Sequence, residues 1–119
     1  MKENIIKTKS YAFALRIVKA YQFLSQDKKE FVLSKQVLRS GTAIGALVFE
    51  AEHAQSTADF INKMNIALKE ANETMYWLML LKDCDYIDKN SFVSIYQDAE
   101  ELVKLLVSIV KTTKSNRTD

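Results

Sequence analysis

Residues 60–81, FINKMNIALKEANETMYWLMLL, decide the fold. Phe60, Met64, Ala67, Ala71, Met75 and Leu78 recur in steps of three and four, which lines one face of an α-helix, and the alternation of a half-buried strand is absent. Ile66, Trp77, Leu80 and Cys84 form a second line on another side, and every residue from Met75 to Leu81 is apolar. A helix that is apolar round most of its circumference has to be covered from more than one direction. Upstream, Ser56 followed three residues later by Asp59 resembles a capping box whose carboxylate also meets the positive end of the helix dipole. A helix is therefore predicted over about 57–85.

The same period recurs on both sides and predicts helices over about 9–25, 28–54 and 91–112. The last carries Phe92, Ile95, Ala99, Leu102, Leu106, Ile109 and Thr113 on one face, with Asp98, Glu101, Lys104 and Lys111 away from it. The 28–54 segment places Leu33, Val37, Gly41, Ile44, Val48 and Ala51 on one face, and Phe31, Leu38, Gly45 and Phe49 on a second stripe. Short polar linkers, Ser25 to Asp27 and Asp83 to Ser91, force each helix back beside its predecessor. The predicted class is all-α: one domain over 1–119, an antiparallel up-down-up-down four-helix bundle without internal repeats. The ends, Met1 to Thr8 and Thr113 to Asp119, are polar and weakly periodic and are expected to fray.

Composition agrees. The chain has 119 residues, no proline and two glycines, which leaves few turns and argues against a β-sandwich. One cysteine and one histidine rule out an internal disulfide and a zinc site built from several such ligands. The longest uncharged stretch, Ser40 to Phe49, is too short to span a bilayer, and four charges among the first ten residues oppose a signal peptide. A cytoplasmic protein with no membrane partner is expected.

One small core cannot cover both sides of the helix over 57–85, so a homo-oligomer is predicted, with Phe49, Ile66, Trp77 and Leu80 as candidate interface residues. The alternative is that the first and last helices wrap round and cover Trp77 internally. Gly41 and Gly45, one turn apart, leave a groove for close approach of another helix.

Catalysis finds little support. Glu50 and His53, with Glu70 and Glu73 on the next helix, suggest a di-metal bundle, but the second Glu-x-x-His such a site needs is missing. Glu70 and Glu73 share the side that bears Ile66 and Trp77 and call for a cationic partner, for which Arg39 is the best candidate; a buried network fixing helix register or subunit contacts is expected. No nucleophile-base pair, phosphate loop or dinucleotide fingerprint is present. Cys84 reads as a buried structural thiol. No enzyme activity, cofactor, metal or small-molecule substrate is indicated.

The net charge is only +2, but residues 1–39 hold nine Lys/Arg against three Asp/Glu. Lys9 and Arg16 fall almost in line with Lys19 nearby, and Lys28, Lys35 and Arg39 align if their helix begins by Lys28. With Lys29, these lysines and Arg16 are the candidate nucleic-acid contacts, since an oligomer repeats the stripe and builds the field to which a phosphate backbone responds. Taken alone, the stripe also reads as an ordinary solvated face.

The segment Leu33 to Ala46, followed by Glu50-Ala51, together with Ala58 to Ile61, Ile66 to Ala71 and Glu73 to Leu78, resembles the two signatures of the 23S ribosomal RNA intervening-sequence proteins. The resemblance covers roughly half the chain. It implies a left-handed antiparallel four-helix bundle assembling into a homopentamer, with Arg39, Glu50, Glu70 and Glu73 at motif positions and no catalytic residue. Where the family commonly carries Asn shortly before the glutamate, this chain has Leu47-Val48-Phe49. The fold-related accessory variability proteins of diversity-generating retroelements use a basic pentameric surface to bind a reverse transcriptase and nucleic acid. The expected role is thus an oligomeric scaffold contacting RNA or a nucleic-acid-processing protein, with a protein-protein adaptor using its apolar stripe as the alternative.

Overall fold

The computed structural model describes residues 2–117, and among them the only regular elements are four helices: α1 (Lys2–Gln26), α2 (Leu33–Ala51), α3 (Thr57–Asp83) and α4 (Lys89–Ser115). Contacts join α1 to α2, α2 to α3, α3 to α4 and α4 back to α1, while the diagonal pairs stand apart, in a body measuring 51 × 22 × 19 Å. Ile6, Phe13, Ile17 and Leu24 of α1 meet Val37, Ile44 and Val48 of α2, Met64, Ala71 and Leu78 of α3, and Ala99, Leu102 and Leu106 of α4 in one core. Small residues set its narrowness: a Cβ on Gly41 would lie 2.7 Å from Ile17 Cγ1, and one on Gly45 would lie 3.2 Å from the Ser10 carbonyl oxygen. Ser40 and Thr74 bridge α2 and α3 inside the bundle through a 2.9 Å hydrogen bond, and Thr74 also reaches the Glu70 carbonyl at 2.8 Å.

Several boundaries differ from the sequence expectation. Helix α1 begins at Lys2, seven residues before the predicted start at Lys9, because Ile6 is fully buried and draws the first turns onto the core. Met1 lies outside the described residues. At the other end α4 continues to Ser115 rather than 112, with Val110 buried and the Thr113 hydroxyl donating to the Ile109 carbonyl at 2.7 Å; Thr118 and Asp119 lie outside the described residues. Where they are described, the two expected tails are helical up to Ser115.

Helix α2 starts at Leu33, not Lys28. The chain leaves α1 through Lys29, held at φ 56°, while the Glu30 amide donates back to the Leu24 carbonyl at 2.9 Å. Glu30 then folds its own carboxylate over the start of α2 and accepts from the amides of Val32, Leu33 and Ser34 at 3.1, 3.0 and 2.7 Å. These are amides that a helix start leaves without partners. Burial pushes the Glu30 carboxyl up, but these amides, with the Ser34 hydroxyl, outweigh it and hold the group below its usual value. Helix α2 ends at Ala51 rather than 54, as the His53 amide closes a turn on the Glu50 carbonyl at 3.0 Å.

Helix α3 starts at the predicted cap, with Ser56 Oγ accepting from the Asp59 amide at 3.0 Å. It stops at Asp83, where Asp85 turns at φ 64° and the Tyr86 amide returns to the Leu81 carbonyl at 2.9 Å. Cys84 is the C-cap of this turn and is exposed, so it is no buried thiol. Asp88 caps α4 by accepting from the Ser91 amide at 2.7 Å, and that bond holds its carboxyl below the usual value.

Candidate nucleic-acid interface

The six candidate cations divide into two sets. Lys9 and Arg16 turn toward α4: Lys9 Nζ lies 3.1 Å from Glu101, and Arg16 donates to Asp98 at 2.5 Å and to Ser94 Oγ at 3.0 Å. Lys19, Lys28, Lys29 and Lys35 are exposed, and none is held by a carboxylate among the described residues. Lys28 precedes α2, so it does not continue the line of Lys35 and Arg39; its ammonium sits 5.8 Å from the Phe23 ring centroid instead. The unpaired lysines occupy the end of the molecule where α1 passes into α2.

That end also carries a cleft of about 690 Å³, bounded by the last turns of α1, the α3–α4 turn and the first turn of α4. Arg16, Lys19 and Lys28 stand on its α1 side, and Asp85 and Asp88 on the opposite side. The cleft brings Lys19 and Lys28 together; Lys29 and Lys35 lie outside it.

Arg39 spans to α3, donating to Glu70 Oε1 at 3.3 Å and, through Nη2, to Glu73. The Trp77 indole N–H also donates to Glu73, at 3.3 Å. The Arg39 hydrogen bond holds the Glu73 carboxyl below its usual value against the upward push of burial. The side-chain exposures of Arg39, Glu70 and Glu73 are 51%, 16% and 32%, so the network lies half-open at the surface rather than buried. Glu50 is not part of it. Eleven residues beyond Arg39 on α2, it stands about 16 Å along the helix axis, out of reach.

Of the candidate interface residues, Phe49 and Ile66 are exposed, while Trp77 and Leu80 are half-buried and Trp77 packs on the core edge. A further apolar stripe, not expected from the sequence, is exposed: Tyr11, Leu15 and Val18 sit one turn apart on the outward side of α1, and Tyr11 is 67% exposed. Its signal was their spacing of four and three, which coincides with a core spacing. Glu30 was missed because its acid precedes the helix by three residues, the reverse of the usual capping order.

No group of three or more His, Cys, Asp or Glu side chains among the described residues is arranged to hold a metal ion. No helix among them is long and apolar enough to cross a membrane.

A family model described as 23S rRNA-intervening sequence protein matches residues 2–108. The chain belongs to this family. It is similar to the crystal structure of a protein of unknown function from the S23 ribosomal protein family of Bacteroides thetaiotaomicron VPI-5482, at 61% identity and a TM-score of 0.92, over 93% of this chain and 99% of that one. None of the curated proteins matches it. Neither the family description nor that of the structural relative names a reaction.

Proposed function

We propose that this family member is a non-enzymatic helical-bundle scaffold that self-associates and contacts RNA or a ribonucleoprotein through a basic end repeated around the assembly. The observation that carries the reading is the separation of charges. Lys9 and Arg16 are satisfied within the chain, whereas Lys19, Lys28, Lys29 and Lys35 remain free at one end, where phosphates meet them without breaking an internal pair. The assembly we infer is the left-handed up-down-up-down bundle in a homopentamer, located in the cytoplasm. The antiparallel course is supported by contacts whose registers run oppositely: Ser10 meets Gly45 while Ile17 meets Gly41, and Lys9 meets Glu101 while Arg16 meets Asp98. Self-association is supported by the exposure of Phe49 and Ile66 and by Trp77 and Leu80, which the bundle covers only in part.

The test is light scattering on a sizing column, with absorbance at two wavelengths, on protein prepared at low salt. The expected result is a mass of about 68.5 kDa, five times the 13.7 kDa chain, with nucleic acid that high salt strips away. A monomer free of nucleic acid overturns the proposal. The outward stripe of Tyr11, Leu15 and Val18 favours a second reading, a protein-protein adaptor. Under that reading, charge reversal at Lys19 and Lys28 leaves partner capture intact.

A further inference from the structure

We propose that the cleft at the basic end receives one unstacked nucleotide of single-stranded RNA, its phosphate at Lys19 and Lys28, its base beside Phe23 and Tyr86, and an amino group of that base at Asp85. The inference rests on the RNA reading above and names the part of the nucleic acid the site takes. At about 690 Å³ the cleft has the size of a ligand pocket and more room than one nucleotide needs.

Its charges are sorted by wall. Arg16 is held by Asp98 and Ser94, and the Asp88 carboxylate is occupied by the Ser91 amide. The ionic groups left for a ligand are Lys19 and Lys28 on the α1 side and Asp85 on the turn opposite. A nucleotide is polarised in the same sense, anionic at the phosphate and amino-bearing at the far edge of adenine, guanine or cytosine. Two aromatic side chains, Phe23 and Tyr86, stand at the same cleft, and the Lys28 ammonium lies over the Phe23 ring, 5.8 Å from its centroid. Stacking on an aromatic face next to a cation is the arrangement that binds unpaired nucleic acid.

Competing occupants fit less well. The deepest lining residues, Leu24, Val37 and Leu81, are 0% exposed, so the floor is closed core and offers no slot for an acyl chain. An acidic peptide would bring carboxylates against Asp85. A duplex keeps its bases stacked and cannot turn one out into the cleft without breaking its pairs.

The experiment is fluorescence anisotropy of the full chain with short labelled oligoadenylate, oligouridylate and an RNA duplex of equal length. The variants are Phe23→Ala, Asp85→Gly and the pair Lys19→Glu with Lys28→Glu. Glycine suits the left-handed backbone of position 85 while removing the acceptor, and Phe23 is exposed, so both single variants keep the fold, as circular dichroism will check. The expected results are preference for oligoadenylate over oligouridylate and duplex, a loss of roughly tenfold or more in Phe23→Ala, and a preference abolished by Asp85→Gly. The lysine pair should weaken every RNA and flatten the salt dependence. RNA binding that ignores Phe23 and Asp85, or that treats duplex alike, overturns the cleft while leaving the RNA reading standing. Displacement of the RNA by a glutamate-rich peptide whose binding shows the same variant sensitivities overturns it too. Absence of binding to any RNA at low salt overturns both.

Discussion

The two flanks of α1 are built on different physics. Against α2 the seam is close: Gly41 admits Ile17 where no Cβ fits, and Gly45 lies under the Ser10 carbonyl. Against α4 the seam is closed by exposed ion pairs, Lys9 with Glu101 and Arg16 with Asp98, and it opens into the cleft at the turn end. Packing of the first kind fixes register and is indifferent to salt. Charge pairing of the second kind is weak, screened by salt, and leaves room for a ligand. The bundle thus concentrates rigidity on one side of α1 and accessibility on the other, and Lys19 and Lys28 line the accessible side.

The largest effect should come from filling the close seam. Gly41→Leu forces a side chain into Ile17, which is fully buried and cannot retreat, and should cost about 3 kcal/mol in urea unfolding. Next is the connection that closes this seam: Glu30→Ala leaves three amides at the start of α2 without their acceptor and should cost about 1–3 kcal/mol. Because the folded Glu30 carboxyl lies below its usual value, its contribution is complete above the ordinary glutamate range and is lost as pH falls through the folded value. Unfolding measured against pH should therefore show a shallower acid decline in Glu30→Gln than in the wild type. On the open flank, a double-mutant cycle of Arg16→Ala and Asp98→Ala should return about 0.2–1 kcal/mol, vanishing at high salt, since both side chains are about two-fifths exposed. The smallest change is expected for Gly45→Ala, where the helix gains up to about 1 kcal/mol in propensity while the Ser10 carbonyl gives way by a few tenths of an ångström. Equal costs for Gly41→Ala and Gly45→Ala would erase the distinction between the two glycines.

The close flank was legible in the sequence and the open one was not. Period 3.6 locates all four helices, Gly41 and Gly45 announce a close approach, and between α2 and α3 Arg39 calls for Glu70 and Glu73 because charges on facing helical sides need one another. Lys9 and Arg16 carried no such signal: their acids lie 92 and 82 residues away, and only the closed bundle brings them together. The cleft was hidden for the same reason, being shaped by two turns distant in sequence. Each of those turns relies on a non-glycine residue at positive φ, Lys29 or Asp85, where a glycine would have marked it. At the amino end, Ile5-Ile6 held the needed clue, but the charges around them masked a helix whose inner face already includes Ile6.

The most direct test is the salt dependence of single-stranded RNA affinity, measured for the wild type, for Lys9→Ala and for the pair Lys19→Ala with Lys28→Ala. The account predicts a steep fall of affinity with salt, unchanged in Lys9→Ala, whose ammonium is spent on Glu101, and a slope lower by about one for each free lysine removed. Equal slopes in all three proteins, or a loss confined to Lys9→Ala, would contradict it.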